Sequence, residues 1–220
     1  MTGFEAASPV ADHWLDVAAA SRERLHSILY WDMTSEYDAR FLSAYLRAGA
    51  WTLSEEFWAR ERVWAADEER HFRGFQSVYE RLFGASGAIL ERRRPDFAPL
   101  AHLFADEFSM ALLLAYDELT TVRGYRVNLG FYDQLGPAFG RYVRMVIADE
   151  GRHYGSFLGL LRERHAHRFG EAERSLQCIL DMEGTPYAQT FVLDHDEEVY
   201  TQAVAIESAS ILLRHLGIRV

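Results

Sequence analysis

The chain has 220 residues, 49% of them apolar, a formal charge of -10 and a pI near 5.4. That is enough apolar material for one sizeable core, and the length favours a single domain over residues 1–220, with a bundle core at about 30–170 and accessory helices at both ends. The acidic balance excludes a general nucleic-acid or membrane-surface binder, both of which need an excess of positive field, and no apolar run is long enough to span a bilayer.

In chain order, a helix is expected over residues 10–28. A second follows over 33–50, with Tyr37, Phe41, Tyr45 and Leu46 on one side. Residues 52–83 read as a long helix, with Thr52 and Glu55 at capping-box spacing and Gly84 as its stop. The Arg92-Arg93-Arg94 run is expected to be an exposed loop, available to an acidic carrier protein or ferredoxin. Over 97–125 the residues Phe104, Phe108, Ala111, Ala115, Leu119 and Val122 recur three or four apart, the stripe of a core-facing helix. Further helices are expected over 137–169, 171–182 and 197–216, while 190–193 is short and ambiguous. The fold class is therefore all-α, a four-helix core with accessory helices.

Chemistry concentrates in two segments, Asp67-Glu68-Glu69-Arg70-His71 and Asp149-Glu150-Gly151-Arg152-His153, both of the form D-E-x-R-H. Residues three apart share a helix face, so Glu68 with His71, and Glu150 with His153, each bring a carboxylate and an imidazole to one point. Glu36 and Glu118 each lie 32 residues before the Glu of their motif, and every member of one half maps onto the other with an offset of 82. A separation of 32 suits a helical hairpin that returns to the same height. The expected ligand set is Glu36, Glu68, His71, Glu118, Glu150 and His153, holding two metal ions in a carboxylate-bridged site. A single E-x-x-H is common on solvated helix faces; the doubled, equally spaced pattern is not. Glu61 and Glu107 are the runner-up ligands. Cys178 is the only cysteine, so oxygen and nitrogen must supply the donors. Asp67 and Asp149 are expected to hold the imidazole of the opposite motif, with Arg70 and Arg152 pairing their charges.

These motifs resemble the ferritin-like diiron-carboxylate superfamily, and residues 64–71, 147–153 and Glu36 look most like the soluble acyl-carrier-protein desaturases. The resemblance covers about residues 30–160 and implies a ferritin-like four-helix bundle. It further implies that Glu36 and His71 bind one iron, Glu118 and His153 the other, and that Glu68 and Glu150 bridge. Glu118 and Thr121 reproduce an E-x-x-T in which the threonine assists proton delivery, so Thr121 is the expected catalytic residue. The last sixty residues do not follow the desaturase pattern, and the length is closer to that of aldehyde-deformylating oxygenases.

The implied activity is that of an O2-activating oxidoreductase: a desaturase, hydroxylase (monooxygenase) or oxidative-cleavage enzyme. Its substrate would be a small-molecule or carrier-bound acyl-type compound, in a biosynthetic pathway. The implied cofactors are two Fe ions, for which an Fe/Mn pair is an acceptable substitute, O2 and an external electron donor of the ferredoxin-type reductase class. A cytoplasmic location is expected, with no nucleic-acid or membrane partner, and the resemblance allows a homodimer. Trp64, Phe72, Leu114, Ala115, Val146 and Tyr154, each near a ligand, are expected along the substrate pocket, although core packing is the commoner role of such residues. Alternatives are a ferroxidase or iron-handling protein and a non-catalytic diiron subunit.

Overall fold

A computed structural model describes residues 10–183, 191–193 and 200–219. Its regular elements are all helical, and the described residues contain no strand. Helix α1 spans Val10–Asp16 and α2 spans Ala19–Ala48. This corrects the expected boundary between residues 28 and 33. No helix breaker lies there, and Ile28, Leu29 and Met33 continue one buried stripe. The break falls earlier, where Ala18 is extended at ψ 140° and the Arg22 guanidinium donates to the carbonyls of Val17 (3.0 Å) and Leu15 (3.1 Å).

Helix α3, Glu55–Phe83, is capped by Ser54 rather than Thr52. The Ser54 hydroxyl accepts from the Phe57 N–H at 3.1 Å, and the Ser54 N–H donates to Glu107. Gly84 ends the helix at φ 94°, a conformation that favours glycine. After the short α4, Gly87–Leu90, the chain enters a loop in which Arg92 and Arg94 are exposed as expected, but Arg93 is buried. Its guanidinium is 1% exposed and grips both oxygens of Asp38 on α2.

The single helix expected over 97–125 is instead a 3-10 turn, Ala98–Phe104, followed by α5, Glu107–Asp133, at 113° to it. Asp106 makes the corner: it is extended, and its carboxylate accepts from the Ser109 N–H at 2.9 Å. Gly130 does not stop α5, because Tyr132 and Leu135 beyond it are buried. Helix α6, Pro137–Arg164, begins after Gly136 at φ 94° and ends before the expected residue 169, giving way to a 3-10 turn at Ala166–Glu171. Helices α7, Ala172–Leu180, and α8, Gln202–His215, lie inside their expected spans; residues 197–199 of the latter are outside the described residues. Of the ambiguous 190–193 stretch, residues 191–193 form a bend. Leu193 there has φ 59°, and its N–H is held by Asp117 at 3.0 Å.

Connections of six and three residues fold α2 against α3, and α5 against α6, as two hairpins. Cross-links such as Ser43 to Glu61 at 2.5 Å and Arg144 to Asp133 at 2.7 Å fix the antiparallel registers. The hairpins meet through α3 and α6, whereas α2 and α5 touch sparingly. Helices α7 and α8 cover α5, which is buried on all sides from residue 110 to 118. Two apolar clusters result, one around Leu42, Phe57, Phe108 and Phe157, the other around Leu29, Phe75, Phe139 and Val146. A polar layer lies between them. No single helix among the described residues is long and apolar enough to cross a membrane.

Candidate metal centre

The polar layer is made by the two hairpins. Glu36 comes from α2, Glu68 and His71 from α3, Glu118 from α5, and Glu150 and His153 from α6, all of them buried. Each i,i+3 pair turns its carboxylate and imidazole inward, and the two pairs face each other across the α3–α6 contact.

The ligand atoms fall into two groups of four, within each of which all lie within 4.8 Å of one another. One group is Glu36, Glu68, His71 and Glu150; the other is Glu68, Glu118, Glu150 and His153. Glu68 and Glu150 belong to both. His71 Nδ1 lies 3.5 Å from Glu36 Oε2 and 3.0 Å from Glu150 Oε1, while His153 Nδ1 lies 3.4 Å from Glu118 Oε2 and 2.8 Å from Glu150 Oε2.

The repeated motif extends outward in a cross. His71 Nε2 meets Asp149 Oδ2 at 3.1 Å, and His153 Nε2 meets Asp67 Oδ2 at 3.1 Å, so each aspartate serves the histidine of the other hairpin. A carboxylate only accepts, so Nε2 carries a proton, while Nδ1 turns to the carboxylates of the centre and would present its lone pair to a metal ion that displaced any proton there. Arg70 donates to Asp67 and Asp149, at 2.5 Å each, and Arg152 donates to Asp149 and lies 3.6 Å from Asp67. Burial pushes Asp149 up, but His71 and Arg70 outweigh it and hold its carboxyl down at about 2.

Each outer carboxylate is also held from behind. The Tyr125 hydroxyl donates to Glu36 Oε1 at 2.5 Å and the Trp64 indole N–H to Glu118 Oε1 at 2.6 Å, leaving the Oε2 atoms facing inward. Glu36 Oε2, Glu68 Oε1, His71 Nδ1 and Glu150 Oε1 are buried without a hydrogen bond. Four carboxylates around one void repel one another, and cations relieve this repulsion. The titration directions reflect it. Burial, together with Glu150 and Glu36, pushes Glu68 well above its usual range, and burial lifts Glu118 to about 8 against the pull of His153. Burial pulls His71 down, but Glu150 and Asp149 more than reverse it. The donor set is therefore suited to holding a metal ion, and oxygen with imidazole nitrogen suits iron, manganese or zinc.

Glu61 and Glu107 are engaged elsewhere. Glu61 accepts from Ser43 and Arg47, both at 2.5 Å, and Glu107 accepts from Ser54, Arg164 and His165.

A cleft of about 680 Å³, measured out to its open mouth, reaches Glu36, Glu68, Glu118 and Glu150 from between α2 and α5. Thr121 lines it. The six residues expected along the substrate pocket do not. Leu114 and Ala115 are in the first apolar cluster, and Phe72 and Val146 are in the second. Tyr154 binds His215 at 2.5 Å, and Trp64, besides holding Glu118, borders a separate pocket between α3 and α6. The cleft wall is formed instead by Trp31, Asp32 and Ser35 on α2, Gly124, Tyr125, Asn128 and Tyr132 on α5, and Phe191 and Tyr200. Tyr125, Asn128 and Tyr132 stand seven, ten and fourteen residues after Glu118, and such polar positions on the ligand-bearing side of a helix are the signal that could have identified them.

No protein-family model, curated protein or solved structure matches this chain.

Proposed function

We propose that the protein is a dinuclear metal enzyme of the ferritin-like diiron-carboxylate kind, an O2-activating oxidoreductase that modifies an organic substrate in the cleft between α2 and α5. The observation that carries this reading is the pair of four-residue groups sharing Glu68 and Glu150, with their ligand atoms buried and unsatisfied around a common void. Glu36 and His71 would hold one ion, Glu118 and His153 the other, and Glu68 and Glu150 both. Two ions against four carboxylates make a neutral assembly. When bound, iron would supply the electrons for reducing O2 and the oxidising power to attack a C–H bond, with a ferredoxin-type donor restoring the reduced state.

The chain's own residues prepare for this in three ways. Asp149 and Asp67 fix both histidines with the proton on Nε2. Tyr125 and Trp64 orient the outer carboxylates, and the apolar clusters on either side keep bulk water from the ligands. Thr121, one turn from Glu118, has no side-chain hydrogen-bond partner among the described residues, so its hydroxyl is available to hold and pass a proton in the cleft. A cleft open to small molecules favours an enzyme over a protein that only stores iron.

The deciding experiment measures metal in protein purified after iron supplementation, then follows the anaerobically reduced protein optically on mixing with O2. About two irons per chain and an O2-dependent absorbance change hastened by an organic compound are expected. Absence of metal would sink the reading. Iron that is oxidised and then accumulates as mineral on further Fe(II) addition would replace it with iron handling.

A further inference from the structure

We propose that the cleft selects a compact planar molecule, an aromatic or heteroaromatic ring carrying a hydrogen-bond donor and acceptor side by side, and that Asn128 reads that polar edge. The inference rests on the functional reading above and concerns the same site.

Asn128 lines the cleft yet is only 7% exposed, and its carboxamide has no hydrogen-bond partner among the described residues. A carboxamide so deeply placed is normally satisfied, and here the open side is the cleft. It offers one acceptor oxygen and an NH2 donor on one plane, a combination matched in full by a ligand edge with an adjacent donor and acceptor. Asn128 lies one turn along α5 from Tyr125, the residue whose hydroxyl holds Glu36. The cleft that Asn128 lines also reaches the buried carboxylates Glu36, Glu68, Glu118 and Glu150.

The walls favour a flat ring. Trp31, Phe191 and Tyr200 face the cleft from three separate segments, and aromatic side chains gain most from planar partners. Tyr200 is admitted by a glycine: a Cβ at Gly124 would collide with its hydroxyl oxygen. Phe191 is steadied edge-on by Trp64, at 5.3 Å between ring centres. The described lining residues include no arginine or histidine, so a carboxylate substrate meets no counter-charge in the wall. Asp32 and Asp117 are themselves occupied with the Tyr132 hydroxyl and the Leu193 N–H.

The test is calorimetric binding of matched probes to the zinc-loaded full chain: benzamide, acetophenone with the same ring and only an acceptor, hexanamide with the same edge and no ring, and benzoate. Benzamide should bind tightest, by about tenfold over each of the others. Asn128→Leu should bring benzamide to the affinity of acetophenone while zinc content stays unchanged. Hexanamide or benzoate binding as tightly as benzamide overturns the proposal, as does an Asn128→Leu protein that keeps the benzamide preference. Should that variant not fold, the ranking on the unsubstituted chain decides. Zinc is quantified in the same samples, so a chain that takes up no metal sinks the metal reading separately, and the probe ranking is still scored on the metal-free protein.

Discussion

Two hairpins related by an offset of 82 residues build the centre, and around it they differ. Both supply an outer glutamate, a shared glutamate, a histidine, an aspartate and an arginine in matching places. Beyond those residues the correspondence fails. Where α5 has Thr121, Gly124 and Asn128 along the cleft, α2 has Ala39, Leu42 and Leu46 in the apolar core. Where α2 has Trp31 and Asp32 at the cleft, α5 has Leu113 and Leu114, again core. The supports of the outer glutamates differ too: Tyr125 corresponds to Ser43, and Trp64 to Val146. Repetition thus supplies the ligand frame. The cleft opens along α2 and α5 on one side of the centre only, because the positions that correspond to its wall on the other side are packed into the apolar core.

The largest break in the comparison removes a residue that both groups share. Glu150→Ala should take metal content from about two ions per chain to near none, whereas Glu36→Ala or Glu118→Ala should each leave about one. Elemental analysis after desalting measures this, and full metal in Glu150→Ala would refute the sharing. The crossed supports come next. Asp149→Asn should weaken the ion beside His71, and Asp67→Asn the ion beside His153, each by about 10- to 100-fold. Cobalt titration followed optically separates them, and equal weakening of both ions by either change would contradict the cross.

Writing the first hairpin's residue into the second is a smaller perturbation. Gly124→Leu, which copies Leu42 into its counterpart position, should retain metal but lower folding stability by about 1–3 kcal/mol, because Tyr200 must move. Denaturant titration gives the number, and no loss would mean that Tyr200 does not rest on Gly124. Tyr125→Phe and Trp64→Phe should each cost the metal-loaded protein about 1–2 kcal/mol, on the Glu36 side and the Glu118 side respectively.

The subtlest difference is in pH. With Glu118 lifted to about 8 from an ordinary 4.5 by burial, the metal-free fold keeps a proton that the unfolded chain has already released. Raising the pH through that window therefore weakens the metal-free fold, but it favours metal uptake, which must expel the proton. Melting temperatures of the metal-free and zinc-loaded proteins should diverge as pH rises from about 5 to 8. Parallel curves would show that Glu118 is already ionised.

The meeting of the six Glu and His residues was legible in the sequence because an i,i+3 pair is a local relation, and its repetition at a fixed offset gives the long-range part. The long helices were legible for similar reasons. Their junctions were not: Asp106 turns the chain because Ser109 is there to be capped, and Ser54 takes the cap from Thr52 with Glu107, more than fifty residues away, holding its N–H. The cleft was the least legible feature. Helix α5 is buried all round at 110–118, so periodicity could not tell a core-facing Leu114 from a cleft-facing residue. The wall itself joins Trp31 to Asn128 and Tyr200, whose proximity only the packed structure creates.

The sharing of ligands also orders events during synthesis. Each four-residue group takes Glu68 from the first hairpin and Glu150 from the second, and the histidine of each hairpin depends on an aspartate of the other. A growing chain on the ribosome that has completed only α2 and α3 thus holds neither group in full. Neither group can offer its full set of four residues to a metal ion until residues 149–153 have been made and docked, so an incomplete translation product presents at most half of each.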